Sequence, residues 1–275
     1  MNRISKKYNN FKGKVYTSTK NKKLLRFLIY FTKIGNIPLQ GKIFQMAFNG
    51  KKILFYVPKN HLELSEAILH FEKSDIDCKE IIKYYEKNHK VVSGRRFLDV
   101  GANQGLYSLA LKKENFDTLS VEGNHELANV IKINYLLNGY TTAADVLEMW
   151  CTPNIESNYF KHESDFSLTN SVQNFGENEI FNKITLEELI LKFKPSVIKL
   201  DLEGLDSKII LSVKPKYFKN VDYLLIEQDS DDLNRTEVID HIKSMGFFNS
   251  LATNLHGELV DFKSTSLTNR HYTRV

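Results

Sequence analysis

Cysteine, proline and glycine are scarce, with only 2, 5 and 13 of them in 275 residues. Two cysteines, Cys78 and Cys151, cannot build a disulfide framework, and no C-x-x-C pair suggests zinc. A reducing, cytoplasmic setting is the expectation. So little glycine and proline excludes collagen-like and Pro-rich linker architectures. Long apolar runs are missing as well. The longest near the start, at 24–31, is broken by Arg26 and falls far short of the roughly 20 residues that span a bilayer. It lies too deep, and lacks the small-residue cleavage site, to read as a signal peptide. Acidic residues are absent from the first 60 positions, which hold 14 Lys and Arg.

What is present is a globular composition, 42% hydrophobic and 26% charged. The net charge of +5 divides into a leader of +14 and a body with 24 basic and 33 acidic residues. Such a leader is either a solvated lysine-rich arm or a contact for phosphate-rich surfaces. At helical spacing, Leu24, Phe27, Leu28 and Phe31 share a face flanked by basic residues. That face packs on the body or makes peripheral contact with an anionic membrane.

After the leader, Asn49-Gly50 joins two apolar runs, 42–48 and 51–57, into a predicted hairpin with a type I′ turn. Helices are predicted at 61–71 and 78–87. From Gly94 onward short β-runs (96–100, 118–122, 144–149, 197–201, 223–227) alternate with helical stretches (106–113, 126–138, 186–193, 207–214, 235–245). Runs at 247–252 and 258–262 are predicted to pair as closing strands. This alternation predicts an α/β, Rossmann-like fold whose mostly parallel sheet carries helices on both faces, with ligands beyond the carboxyl ends of its strands. The chain divides into an N-terminal extension at 1–93 and a ligand-binding domain at 94–275. The stretch 152–182 is too long for an ordinary connection and reads as a lid or substrate-contact segment containing His162 and Asp165.

Three motifs carry the chemistry. In Asp99-Val100-Gly101-Ala102-Asn103-Gln104-Gly105 a buried strand enters a two-glycine turn before a helix. Gly101 permits a sharp turn and close ligand approach, and Gly105 permits close helix–sheet packing. The spacing differs from the dinucleotide G-x-G-x-x-G pattern. Glu122 ends the next β-run, where a carboxylate can accept hydrogen bonds from both hydroxyls of a ribose. Together these imply a nucleoside-containing cofactor. In Lys199-Leu200-Asp201-Leu202-Glu203-Gly204, alternation throws Lys199, Asp201 and Glu203 to one side, and Glu227 closes the following strand beside them. Charges so placed need each other, a metal or a ligand.

These blocks, with Asn124, Asn134, Thr185-Leu186 and Leu225-Ile226-Glu227, resemble the FkbM family of S-adenosylmethionine-dependent methyltransferases over about 95–248. The resemblance implies a seven-stranded class I methyltransferase sheet, S-adenosyl-L-methionine as cofactor, and O-methylation of a hydroxyl. The acceptor it implies is a sugar of a surface glycan or secondary metabolite. It assigns cofactor contacts to Asp99, Gly101, Ala102, Asn103, Gly105, Glu122, Gly123 and Asn124. The chain departs from the family's pattern at Gly123, where proline is usual, at Val121, where an aromatic is frequent, and at Glu187, which replaces an aspartate.

Methyl transfer from a sulfonium is an in-line displacement, so alignment of the acceptor oxygen dominates. Asp201 is expected to act as base or as ligand to a divalent cation, with Glu203 and Glu227 orienting the acceptor and Lys199 keeping the carboxylates ionised. Asp99 contacts the cofactor's amino-acid portion or orders the glycine loop. Two other readings stay open. One is a nucleic-acid ribose 2′-O-methyltransferase, for which the leader would supply phosphate contacts, although it holds no recognised RNA-binding motif. The other is a non-catalytic scaffold of a glycan-assembly complex.

Overall fold

The computed structural model describes residues 41–59, 63–88, 94–140, 145–154, 159–161, 172–174, 182–202, 204–228, 235–254, 258–261 and 268–274. The leader face at 24–31, Glu203, and most of the 152–182 segment with His162 and Asp165 lie outside these residues.

The N-terminal hairpin forms as expected from β1 (Gly41–Phe48) and β2 (Lys51–Pro58). Asn49 and Gly50 both take positive φ, 47° and 73°, the geometry a type I′ turn requires. Helices α1 (Glu63–Ser74) and α2 (Ile76–Lys87) follow. Next come β3 (Arg96–Val100), α3 (Leu106–Lys113), β4 (Asp117–Glu122), α4 (His125–Leu137) and β5 (Val146–Glu148). Four short strands follow, β6 (Trp150–Thr152), β7 (Tyr159–Lys161), β8 (Val172–Asn174) and β9 (Lys183–Thr185). The expected loop at 152–182 therefore contains a small antiparallel pair, β7 with β8, while β6 pairs with β9. The chain ends with α5 (Leu186–Phe193), β10 (Val197–Leu200), α6 (Asp206–Ser212), β11 (Tyr223–Gln228), α7 (Arg235–Ser244), β12 (Phe248–Asn254), β13 (Leu259–Val260) and β14 (Thr268–Thr273).

Local chemistry sets several boundaries. Asn124 caps α4 by accepting from the Glu126 and Leu127 amides. Thr185 and Glu188 form a reciprocal capping box at α5.

The main sheet has eight strands in the order β13-β12-β14-β11-β10-β3-β4-β5. The expected seven is corrected to eight by the strand Thr268–Thr273, which has too little apolar alternation to signal itself. β12 and β13 do pair, but β14 lies between β12 and β11 and joins them to the rest. The five strands from β11 to β5 are parallel, and β14, β12 and β13 run antiparallel. The chain leaves β3 toward β4 on one side and leaves β10 toward β11 on the other. Strand order thus reverses between β3 and β10, which opens a crevice at their carboxyl ends.

Each sheet face has its own core. Leu98, Val100, Ile198, Leu200, Leu224 and Ile226 point toward α5, α6 and α7. Phe97, Val197, Tyr223 and Leu225 point the other way, into one cluster with Phe44 and Phe55 of the hairpin, Ile68 of α1 and Ile81 of α2. The hairpin and first two helices are therefore built into the same core as the sheet. No helix among the described residues is long and apolar enough to cross a membrane.

Candidate active site

The glycine turn lies at the crevice. Gly101 (φ 76°), Asn103 (φ 52°) and Gly105 (φ 80°) all take left-handed backbone. The Gly101 and Ala102 amides donate to the Val121 carbonyl, at 3.0 and 3.1 Å, so the turn is tied to the end of β4. A Cβ on Gly101 would stand 1.9 Å from the Asp201 carbonyl oxygen, and one on Gly105 would stand 3.2 Å from Ile131. The missing side chain at Gly101 lets the loops after β3 and β10 touch, while that at Gly105 lets the start of α3 approach Ile131 of α4 rather than the sheet.

Glu122 is 8% exposed at the tip of β4. Its carboxylate accepts from the backbone amides of Asn103 and Asn124, each at 2.9 Å. Burial pushes its pKa up to about 7, outweighing those two bonds. A carboxylate offers about four acceptor sites, so two remain for other donors. The Asn124 side chain is committed to capping α4, and Ala102 packs into the core. Gly123 lies under the indole of Trp150, whose Cδ2 would be 2.2 Å from a Cβ there. That contact is the physical counterpart of glycine in place of proline.

Asp99, 1% exposed, points to the hairpin side of the sheet. One oxygen accepts from the Ser108 hydroxyl (2.6 Å) and amide (3.2 Å), ordering the start of α3. The other, Oδ1, has no hydrogen-bond partner and lies 3.7 Å from Lys199 Nζ. Desolvation raises the Asp99 pKa despite that ammonium. Asn103 Oδ1 is a second buried acceptor without a partner.

Lys199 faces Asp99 across the β3–β10 register. Its ammonium, 3% exposed, binds Asp201 Oδ2 at 2.8 Å and lies 4.8 Å from the centre of the Tyr107 ring. Burial works against its charge, but Asp201 and Asp99 prevail and raise its pKa. The Asp201 side chain is 32% exposed at the crevice. Burial would raise its pKa, yet Lys199 and a side-chain hydrogen bond with Glu227 hold it below the usual carboxylate range. Asp206 accepts from the Leu202 amide with both oxygens, at 3.0 and 3.2 Å, closing the loop after Asp201.

The structure thus brings together Asp99, Gly101, Asn103, Gly105, Glu122, Lys199, Asp201 and Glu227. No group of three or more His, Cys, Asp or Glu among the described residues is arranged to hold a metal ion. His125 bonds Glu148 and Asn129 on the surface beside Glu122.

No family model matches the chain, and no curated protein does either. Solved structures with a similar trace include an S-adenosylmethionine-dependent methyltransferase from Clostridium acetobutylicum, 10% identical, covering 77% of this chain and 98% of that one, with TM-score 0.45. A precorrin-6y C5,15-methyltransferase from Geobacter metallireducens is 11% identical over 71% of this chain and 87% of that one, with TM-score 0.40. The bifunctional kinase-methyltransferase WbdD is 12% identical over 72% of this chain, which spans 38% of its length, with TM-score 0.43. At such distances the chemistry has to come from the side chains.

Four residues at or behind the site carry little sequence signal. Tyr107 and Ser108 lie in the first turn of α3 directly after the glycine turn, a position that could have drawn attention to them. Asn269, in register with Glu227, and Asp77, which bonds Asn269 from outside the crevice, come from segments distant in sequence, and no local pattern marks either.

Proposed function

We propose that the chain is an S-adenosylmethionine-dependent O-methyltransferase acting on a sugar hydroxyl. The observation that carries this reading is the arrangement around the crevice where strand order reverses. There a glycine turn and a second-strand carboxylate with spare acceptor sites face a Lys199–Asp201–Glu227 cluster. The residues fit the cofactor. Glu122 suits the two ribose hydroxyls, and the Oδ1 atoms of Asp99 and Asn103, which accept no hydrogen bond, suit the ammonium of the amino-acid portion beside Gly101. Bound there, S-adenosylmethionine would supply a methyl group on a sulfonium that leaves as a neutral thioether. The sugar acceptor comes from the resemblance of the sequence blocks to the FkbM family.

The chain's own residues then have definite tasks. Glu122 and the glycine turn hold the nucleoside. Asp201, ionised and partly open to the crevice, accepts a hydrogen bond from the acceptor hydroxyl. Its depressed pKa makes it a weak base, so its contribution is to aim the oxygen and to take the proton as the carbon–oxygen bond forms. Lys199 keeps that carboxylate charged and Glu227 fixes its orientation.

Isothermal titration with S-adenosylmethionine and S-adenosylhomocysteine tests the reading. Micromolar binding by the wild type should be lost in Glu122→Ala, whereas absence of binding to either ligand would overturn it. In Asp201→Asn, cofactor affinity should persist while transfer to a sugar acceptor drops about 10²-fold or more. Undiminished turnover in that variant would remove Asp201 from its assigned role.

A further inference from the structure

One buried acid outside the crevice gathers the elements that frame it. Asp77, 3% exposed on α2, accepts four hydrogen bonds from three other elements. Tyr107 of α3 donates its hydroxyl to Oδ2 at 2.8 Å, and the Asn269 amide of β14 donates to the same oxygen at 2.8 Å. Thr253 of β12 (2.7 Å) and the His271 ring of β14 (2.8 Å) bind Oδ1. His271 is itself held on its other nitrogen by the Tyr223 hydroxyl.

Two of these donors lead directly to the site. The Tyr107 ring lies against the Lys199 ammonium, an attraction that grows when the cation is shielded from water. Asn269 is the β14 residue in register with Glu227. Tyr107 therefore flanks Lys199 and Asn269 flanks Glu227, and both are oriented by one carboxylate. A buried carboxylate with four donors is costly to replace or to leave partly unpaired.

We infer that Asp77 is a positioning residue that, through Tyr107 and Asn269, holds Lys199 against Asp201 and Glu227 in the crevice. This rests on the methyltransferase reading for its catalytic meaning, but its geometry can be tested apart from it. The segment before the sheet thereby takes part in the site without touching substrate.

The test uses the full chain labelled with 15N at the lysine side-chain nitrogen. In the wild type, Lys199 should give a slowly exchanging ammonium signal, identified by its loss in Lys199→Arg and displaced by the Tyr107 ring current. Tyr107→Phe keeps the ring but frees it from Asp77, and should reduce that displacement and speed exchange by about tenfold. Asp77→Asn should do the same. Thr253→Val removes another bond to Asp77 at a distance from the site, and controls for lost stability. It should lower the melting temperature yet leave the Lys199 signal in place. If Asp77→Asn does not fold, Tyr107→Phe and Thr253→Val decide alone. An unchanged Lys199 signal in Tyr107→Phe, or an equal change in Thr253→Val, overturns the inference. Titration with S-adenosylmethionine on the same samples separates the two ideas. A responsive Lys199 in a protein that does not bind the cofactor retains the positioning role and rejects the methyltransferase reading.

Discussion

A methyl group added to Gly101 would meet the Asp201 carbonyl oxygen at 1.9 Å, and nothing nearby can yield except the backbone of the loop after β10. Gly139 has a similar φ of 85° but open space around it. The pair separates two costs that glycine substitutions usually mix. Gly139→Ala should lose about 1–2 kcal/mol for left-handed backbone alone. Gly101→Ala should lose more than about 3 kcal/mol or fail to fold, because the two loops that form the crevice must part. Urea denaturation of both variants reads the difference, and equal losses would mean that the loops are not held in contact. Glu122 offers a pH test at the same scale. Burial raises its pKa from 4.5 to about 7, so the folded chain keeps a proton that the unfolded chain releases. That stabilisation is complete below about pH 4.5 and is lost as pH rises through about 7. Glu122→Gln cannot titrate, although it leaves one backbone amide unpaired at every pH. Relative to wild type it should therefore gain on the order of 2–3 kcal/mol between pH 5 and 8. A difference that stays constant with pH would show that the carboxyl is ionised throughout. The glycine turn and Glu122 were legible in the sequence because each carries its signal locally, as an unusual backbone need or as an acid ending an apolar run. The Gly123–Trp150 contact was not legible, since it joins the loop after β4 to the start of β6, 27 residues further on.

Among the elements, the parallel strands were legible for a related reason. Buried on both faces, β3, β10 and β11 read as nearly continuous apolar runs. β14 was invisible because its sequence, Thr-Asn-Arg-His-Tyr-Thr, looks like a polar tail. In the sheet interior Asp77 and Tyr223 satisfy His271, Asp77 also satisfies Asn269, and Gln228 accepts from Tyr272. A polar strand can be central when its partners arrive from far along the chain, and no window of sequence contains them. The hairpin is attached by the same device. Asn134 on α4 accepts from the Tyr56 amide (2.6 Å) and donates to the Gln104 carbonyl in the glycine turn (2.9 Å). One turn later, Asn138 bonds both the amide and the carbonyl of Leu54. Removing Asn134 leaves a buried amide and carbonyl without partners, at about 1–3 kcal/mol each. Asn134→Ala should thus destabilise the chain by about 2–4 kcal/mol and speed hydrogen exchange at Tyr56. The glycine turn should loosen with it, weakening cofactor binding even though Asn134 does not face the crevice. Exchange that changes only within α4 would contradict the link.

For the whole molecule, the question is whether the segment before Gly94 is an attachment or a part of the fold. The sequence pattern argues for a boundary there, because the β–α alternation begins at Gly94. Packing argues against one. Phe97, Val197, Tyr223 and Leu225 of the sheet share a cluster with Phe44, Phe55, Ile68 and Ile81, all buried. Tyr84 and Tyr85 of α2 stack edge-on against Tyr223 and Phe116. A fragment of residues 94–275 would keep α3 and α4 on that face but strip the hairpin, α1 and α2 from it, and leave Asn269 and His271 without Asp77. Each large side chain uncovered costs about 1.5–3 kcal/mol, so the four named sheet residues together, at about 6–12 kcal/mol, match the 5–15 kcal/mol by which a domain is ordinarily stable. Calorimetry of the full chain should accordingly give one cooperative transition in which the hairpin, α1 and α2 melt together with the sheet. The fragment 94–275 should bind hydrophobic dyes and show no sharp melt. Two separate transitions, or a fragment that melts cooperatively within a few degrees of the full chain, would make the segment dispensable for folding. In that case Asp77 would be an addition to a site already complete, and Tyr107 would have to stay over Lys199 without it.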